Sequence, residues 1–225
     1  MNSLDRKAFG GLLQLNVILA ASLFIPAGTL NYWQAWVFLA VFFTAVLAIT
    51  MYLKKEDPKL LERRIKAGSA AETQRSQKVI QFLAAIVFIL IFILSALDHR
   101  FGWSVVPWYV AGAGDFLVAL GLLVVFFVFR ENSFASATIE IATEQRLVAT
   151  GPYAIVRHPM YSGAFVMLLG VPLALGSWWG VVTVIPIMLV IIWRLIDEEK
   201  FLKINLAGYS DYLDKVKYRL LPFIW

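Results

Sequence analysis

Between Lys7 and Lys54 the chain runs for 46 residues without a formal charge. A helix crossing the hydrocarbon core of a bilayer needs about 20 apolar residues, so this run holds two crossings. Pro26, Ala27 and Gly28, followed by Asn31, supply the turn between them. The first crossing is expected near Leu12–Ile25 and the second near Tyr32–Tyr52. Val79–Leu97 makes a third, and Trp108–Phe129, interrupted by Asp115, a fourth. Pro159–Trp193 is again free of charge for 35 residues but is broken by Gly170, Pro172, Gly176, Gly180 and Pro186. That is too long and too interrupted for one straight helix, and predicts two short helices turning at Gly176–Gly180. The expected fold is all-α: a polytopic integral membrane helix bundle of about six hydrophobic segments. The last two form a short hairpin, and a cytoplasmic C-terminal helical region follows.

Composition agrees. Of the 225 residues, 60% are hydrophobic and 16% charged, against about 25% charged in a soluble domain. One water-soluble core of this size could not hide that much apolar surface. The absence of cysteine excludes thiol nucleophiles, iron–sulfur clusters and thiolate zinc sites. Two histidines far apart make no metal site. The first apolar run continues straight into a second, so it reads as a retained helix rather than a cleaved signal.

Lys and Arg set the expected orientation, because short loops rich in them stay cytoplasmic. The N-terminus carries 2, the stretch 54–78 carries 8, 130–158 carries 3 and 194–225 carries 6, against Arg100 alone on the other side. A bias of 19 to 1 places both termini in the cytoplasm. It also turns the basic excess toward anionic lipid headgroups rather than nucleic acid. The chain divides into residues 1–129, four helices with the cytoplasmic loop 54–78, and residues 130–225, where the remaining polar mass gathers.

Several features have plain structural readings. Ala111-Gly112-Ala113-Gly114 sits among apolar residues and suits close helix packing through small side chains. Asp115 beside it faces the bundle interior or the outer interface. Leu60, Leu61 and Ile65 make the segment after Pro58 amphipathic, fit to lie on the bilayer surface within a solvated loop. His99 reads as surface. Trp178, Trp179 and the ending Pro222-Phe223-Ile224-Trp225 suit interfacial anchors.

Two constellations carry chemistry. In Thr150–Gly163 a Gly151-Pro152 turn precedes Arg157-His158-Pro159-Met160-Tyr161. Proline at a first helical position loses no hydrogen bond, so a helix starts here with its free amides beside Arg157 and His158. Such a start attracts carboxylates and phosphates. The second is Arg194 through Leu202, where Arg194 and Glu198 share a helix face while Asp197 and Glu199 project to either side.

In this order the two resemble the isoprenylcysteine carboxyl methyltransferase family of integral membrane enzymes. The resemblance lies in Gln145–Val148, Gly151-Pro152-Tyr153, Arg157–Tyr161, Arg194, Glu198-Glu199 and Leu202. Gly208-Tyr209, Tyr212, Val216 and Arg219–Pro222 complete it. It implies an S-adenosyl-L-methionine-dependent methyltransferase acting on a lipophilic or lipid-linked substrate drawn from the bilayer. By position, Gln145, Arg146, Leu147, Val148, Tyr153, His158, Pro159, Met160, Tyr161 and Glu198 would line the cofactor site, and Arg194 would face the substrate. The residues' own chemistry agrees. Arg157 and His158 at a helix start suit the cofactor's carboxylate, and Glu198 its ammonium. Arg194 could clamp an acceptor carboxylate by its fork, and Glu199 is the nearest candidate base for an amine acceptor. Phospholipid amine methylation, or a non-enzymatic membrane protein on the same scaffold, are the alternatives.

Overall fold

The computed structural model describes residues 3–142 and 145–225. It is 73% helical, and no strand occurs among the described residues. Among the described residues, five helical stretches are long and apolar enough to cross a membrane. The first three of these are α1 (Ser3–Ala27), α2 (Trp33–Glu56) and α4 (Arg75–Phe101), with the short α3 (Pro58–Ile65) between the latter two. α5 (Trp108–Glu131) is the fourth. α6 (Pro159–Ala174) follows a single 3-10 turn at Gly151–Ala154, then come α7 (Trp178–Val182), α8 (Val184–Asn205) and α9 (Tyr209–Lys215). The fifth long stretch is α7 with α8, Trp178–Asn205.

Each uncharged run contains the crossing expected of it, and the helices extend past the runs into polar sequence at one or both ends. The last two segments are unequal. At about 1.5 Å per residue, the 16 residues of α6 rise about 24 Å, short of the roughly 30 Å hydrocarbon core. α8 instead continues well beyond the apolar run, carrying Arg194 through Asn205 out as helix. The turn between them falls at Leu175–Ser177, with Gly176 in the left-handed region (φ 70°).

The short α6 packs most extensively on α5 rather than on α8. Gly114 and Gly121 of α5 meet Gly163 and Gly170 of α6, both pairs spaced by two helical turns. A Cβ at Gly170 would stand 2.6 Å from the Gly114 carbonyl oxygen, and one at Gly163 would stand 2.8 Å from that of Gly121. Only glycine permits this approach, which is the close packing expected of the small residues around 111–114. A central core of Leu19, Leu23, Phe38, Phe92, Val118, Leu168 and Leu175 ties α1, α2 and α4 onto the pair.

The two ends of the bundle differ. Six of the seven exposed tryptophans, Trp33, Trp36, Trp103, Trp108, Trp178 and Trp179, lie at the end holding the α1–α2, α4–α5 and α6–α7 turns, the seventh being Trp193 beside Arg194. The charged segments 54–78, 130–158 and 194–225 gather at the other. There α3 is not a free surface helix. Asp57 caps it, accepting from Leu60 N–H (3.0 Å), and Leu60 and Leu61 are buried against Leu53, Val128, Phe129 and Ala135. His99 also departs from the surface reading: its ring stacks on Tyr32 at 3.9 Å, and Nε2 lies 3.2 Å from the Asn31 carbonyl.

Candidate functional site: a polar pocket at the charged end of the bundle

Pro159 occupies the first turn of α6, and the residues before it are fixed from outside. Arg157 N–H donates to the Tyr218 carbonyl (2.9 Å) and His158 N–H to that of Arg219 (3.0 Å). Ser162 Oγ donates to the Leu220 carbonyl (2.5 Å). The C-terminal segment thus holds the α6 entrance like a short paired strand. The extension of α8 brings Glu198, Leu202 and Leu206 alongside, and α9 brings Tyr209 and Tyr212. Between these elements and the 132–148 segment lies a pocket of about 770 Å³, part of it open to solvent.

Every residue expected at a cofactor site lines this one pocket: Gln145, Arg146, Leu147, Val148, Tyr153, Arg157, His158, Pro159, Met160, Tyr161 and Glu198. The walls are mixed. Glu198 Oε2 accepts the Tyr161 hydroxyl at 2.6 Å. Tyr153 accepts from Asn132 Nδ2 (2.9 Å), and its carbonyl takes the Tyr212 hydroxyl (2.7 Å). Burial pushes the Tyr153 phenol up to about 12 and raises those of Tyr209 and Tyr212 as well, so all three stay neutral at physiological pH. Tyr209 is 3% exposed, and its hydroxyl has no hydrogen-bond partner among the described residues. A buried hydroxyl without a partner costs about 1–3 kcal/mol, which a bound polar group would relieve.

The two residues expected to do chemistry lie outside the pocket lining. Glu199 is not a free base. Its Oε1 sits 3.2 Å from Arg157 Nε and 3.3 Å from His158 Nε2, and its Oε2 accepts from Arg219 Nε at 3.0 Å. Nor is Arg194 open to clamp a carboxylate. Nε donates to Tyr161 Oη (3.0 Å), Nη1 to Glu72 Oε1 (2.9 Å) and Gln77 Oε1 (2.8 Å), and Nη2 to the Ala137 carbonyl (2.9 Å). Of its five N–H groups one remains, and a bidentate grip needs two. Its partner is also not Glu198: the Tyr161 hydroxyl stands between them.

Loop 54–78, expected to be solvated, supplies residues that sequence reasoning missed. Glu72 is 2% exposed; besides Arg194 it accepts from Ile139 N–H (3.2 Å). Gln77 and Ser76 donate to Asp197 Oδ2 (2.5 and 2.8 Å). Only the low charge of the stretch from Ala67 to Gln74 hinted at burial. The pocket roles of Tyr209 and Tyr212 are visible in sequence only through the Gly208-Tyr209 resemblance.

Fold and pocket together define a polytopic helical membrane protein with a mixed-polarity ligand pocket at one membrane edge. Residues 109–207, from α5 past the end of α8, match the phospholipid methyltransferase family model. This is the same membrane methyltransferase family as the isoprenylcysteine carboxyl methyltransferases. No curated protein matches the chain.

Proposed function

We propose that the pocket binds S-adenosyl-L-methionine and that the protein transfers its methyl group to a lipophilic acceptor, a carboxylate first and a phospholipid amine second. One observation carries the reading: within the family-matched region, the start of α6 with Arg157 and His158, and the acid Glu198, line a common space. A zwitterionic amino-acid tail needs both signs close together. The partnerless Tyr209 hydroxyl marks the same space as one built for a polar ligand.

The cofactor's sulfonium would supply an electrophilic methyl group, and in-line displacement at it calls for proximity and dryness more than acid–base help. Glu198, steadied by Tyr161, faces the ammonium. Arg157 and His158, both in contact with Glu199, hold the α6 entrance in register at the pocket wall. Leu147, Leu202 and Leu206 exclude water. An ionised carboxylate acceptor needs no base (pKa about 4). An amine acceptor must lose a proton, and with Glu199 ion-paired to Arg157 and Arg219 and in contact with His158 the base foreseen for it is gone. This supports the carboxylate over the amine. In this reading residues 130–225 form the methyl-transfer core, 1–129 its membrane support, and the charged end faces the cytoplasm.

Titration calorimetry on detergent-purified protein tests the cofactor, and radiolabelled methyl transfer into membrane lipids followed by mass spectrometry identifies the acceptor. Saturable S-adenosyl-L-methionine binding is expected; its absence would return the chain to a non-enzymatic role. Orientation is tested by cysteine labelling in this cysteine-free chain. A cysteine at the exposed Ala70 should react only from the cytoplasmic side.

A further inference from the structure

Two arginines flank Tyr161, and only one is spoken for. Arg194 has donated four of its N–H groups, and Glu72 neutralises it at 2.9 Å. Arg64, at the end of α3, has no such partner among the described residues. Its Nη1 donates to the Ser136 carbonyl (3.0 Å) and reaches toward that of Ala135 (3.5 Å) and Met160 Sδ (3.7 Å). Its guanidinium lies 4.9 Å from the centre of the Phe129 ring. Its Nε and Nη2 have no hydrogen-bond partner among the described residues, and no described carboxylate lies within 4.0 Å of it. An arginine set among apolar side chains with only carbonyl partners is expensive unless an anion completes it. Burial pulls it down to about 10, which still leaves it charged at neutral pH.

Its position matters as much as its charge. Ala135, Ser136 and Met160, which it touches, are also walls of the cofactor pocket. On its other side a groove of about 660 Å³ opens between α2 and α5, lined by Ala45, Ile49, Tyr52, Leu122 and Phe126. Tyr52 and Ile49 pack on the same apolar cluster as Met160 and Tyr153, the cluster that includes Phe129 beneath Arg64. One packed cluster therefore borders the groove, the guanidinium and the pocket.

We infer that Arg64 grips the oxyanion of the methyl acceptor, whose apolar chain lies in the groove between α2 and α5. The inference rests on the methyltransferase reading above and deepens it. The acceptor is an anionic amphiphile, recognised by a residue outside the family-matched stretch 109–207. Arg194, held rigid by Glu72, is then a positioning residue that fixes Tyr161 and the 137–139 wall. The oxyanion could be the carboxylate to be methylated or the phosphate of a lipid headgroup, and the test separates the two.

The experiment measures binding of a radiolabelled S-isoprenylcysteine acid and its methyl ester to the full chain in detergent. A parallel arm compares phosphatidylethanolamine with diacylglycerol in mixed micelles. Loss of one charge-assisted contact corresponds to about 10- to 150-fold in affinity. Wild type should prefer the charged member of one pair by that factor, and the pair that shows it names the source of the oxyanion. Arg64→Gln should erase the preference and Arg64→Lys restore part of it, with S-adenosyl-L-methionine affinity unchanged in both. A wild type that binds both members of each pair alike overturns the inference without any variant, as does an Arg64→Gln protein that keeps the full preference. Failure of the wild type to bind S-adenosyl-L-methionine is a separate result, and removes the reading beneath it.

Discussion

Both ends of the bundle bury acids, with opposite outcomes. At the tryptophan-rich end Asp98, 1% exposed, accepts from Ser104 N–H (2.8 Å), Ser104 Oγ (2.5 Å) and Ser177 Oγ (2.6 Å). Ser177 Oγ in turn accepts Gly180 N–H (2.8 Å), and the nearby Tyr32 hydroxyl donates to the Leu175 carbonyl (2.6 Å). Neutral donors from two connections converge on one carboxylate, and Tyr32 from a third bonds beside it, closing the space. At the charged end Glu72, Glu198 and Glu199 are also bonded, but beside an open pocket whose wall includes the partnerless Tyr209 hydroxyl, with the Arg64 guanidinium against the residues behind that wall. Saturation makes a clasp; incomplete saturation beside a cavity makes a binding site.

Substitutions can break this contrast, beginning with the largest expected effect. Glu72→Ala strands the buried Arg194, and removing one partner of such a pair costs about 3–5 kcal/mol. Thermal unfolding in detergent should show the loss, and methyl transfer should fall with it. Asp98→Ala leaves the Ser104 and Ser177 donors unanswered and should cost about 1.5–3 kcal/mol of stability. Yet S-adenosyl-L-methionine affinity measured on the surviving folded protein should be that of wild type. A weakened affinity there would mean that the two ends are coupled.

Glu198→Gln should do the reverse. Melting should barely move, whereas cofactor affinity should drop about 10- to 150-fold as the charge opposite the ammonium disappears. Equal affinities in calorimetry would remove Glu198 from the site. The smallest effect is the most diagnostic. Tyr209→Phe deletes a hydroxyl without a partner, so the free protein should be unchanged or slightly more stable, while cofactor binding weakens by about 0.5–1.5 kcal/mol. If stability falls instead, the hydroxyl was serving the fold.

The crossings were legible in sequence because uncharged length is a direct physical demand of the bilayer, and Pro159 announced the α6 start for an equally local reason. The pocket lining was legible through that start and the resemblance downstream of it. What stayed hidden was pairing at long range. Glu72 meets Arg194 across 122 positions, and no periodicity in the 54–78 loop distinguishes a carboxylate turned inward from one turned to water. The expected free base and free clamp failed for the same reason: a side chain's type states what it can donate or accept, not whether a neighbour has already done so. Arg64, by contrast, looks in sequence like one more cytoplasmic cation; only the structure shows it without a carboxylate among the described residues.

The glycine seam between α5 and α6 has a consequence for the segment joining them. Asn132 and His158 are the ends of a connection whose anchors cannot separate, since the helices beneath touch backbone to backbone. The entropy of bringing a loop's ends together, which grows as the logarithm of its length, is therefore already spent when the bundle assembles. A ligand arriving in the pocket meets a connection whose ends are already placed, and more of its contact energy remains as affinity.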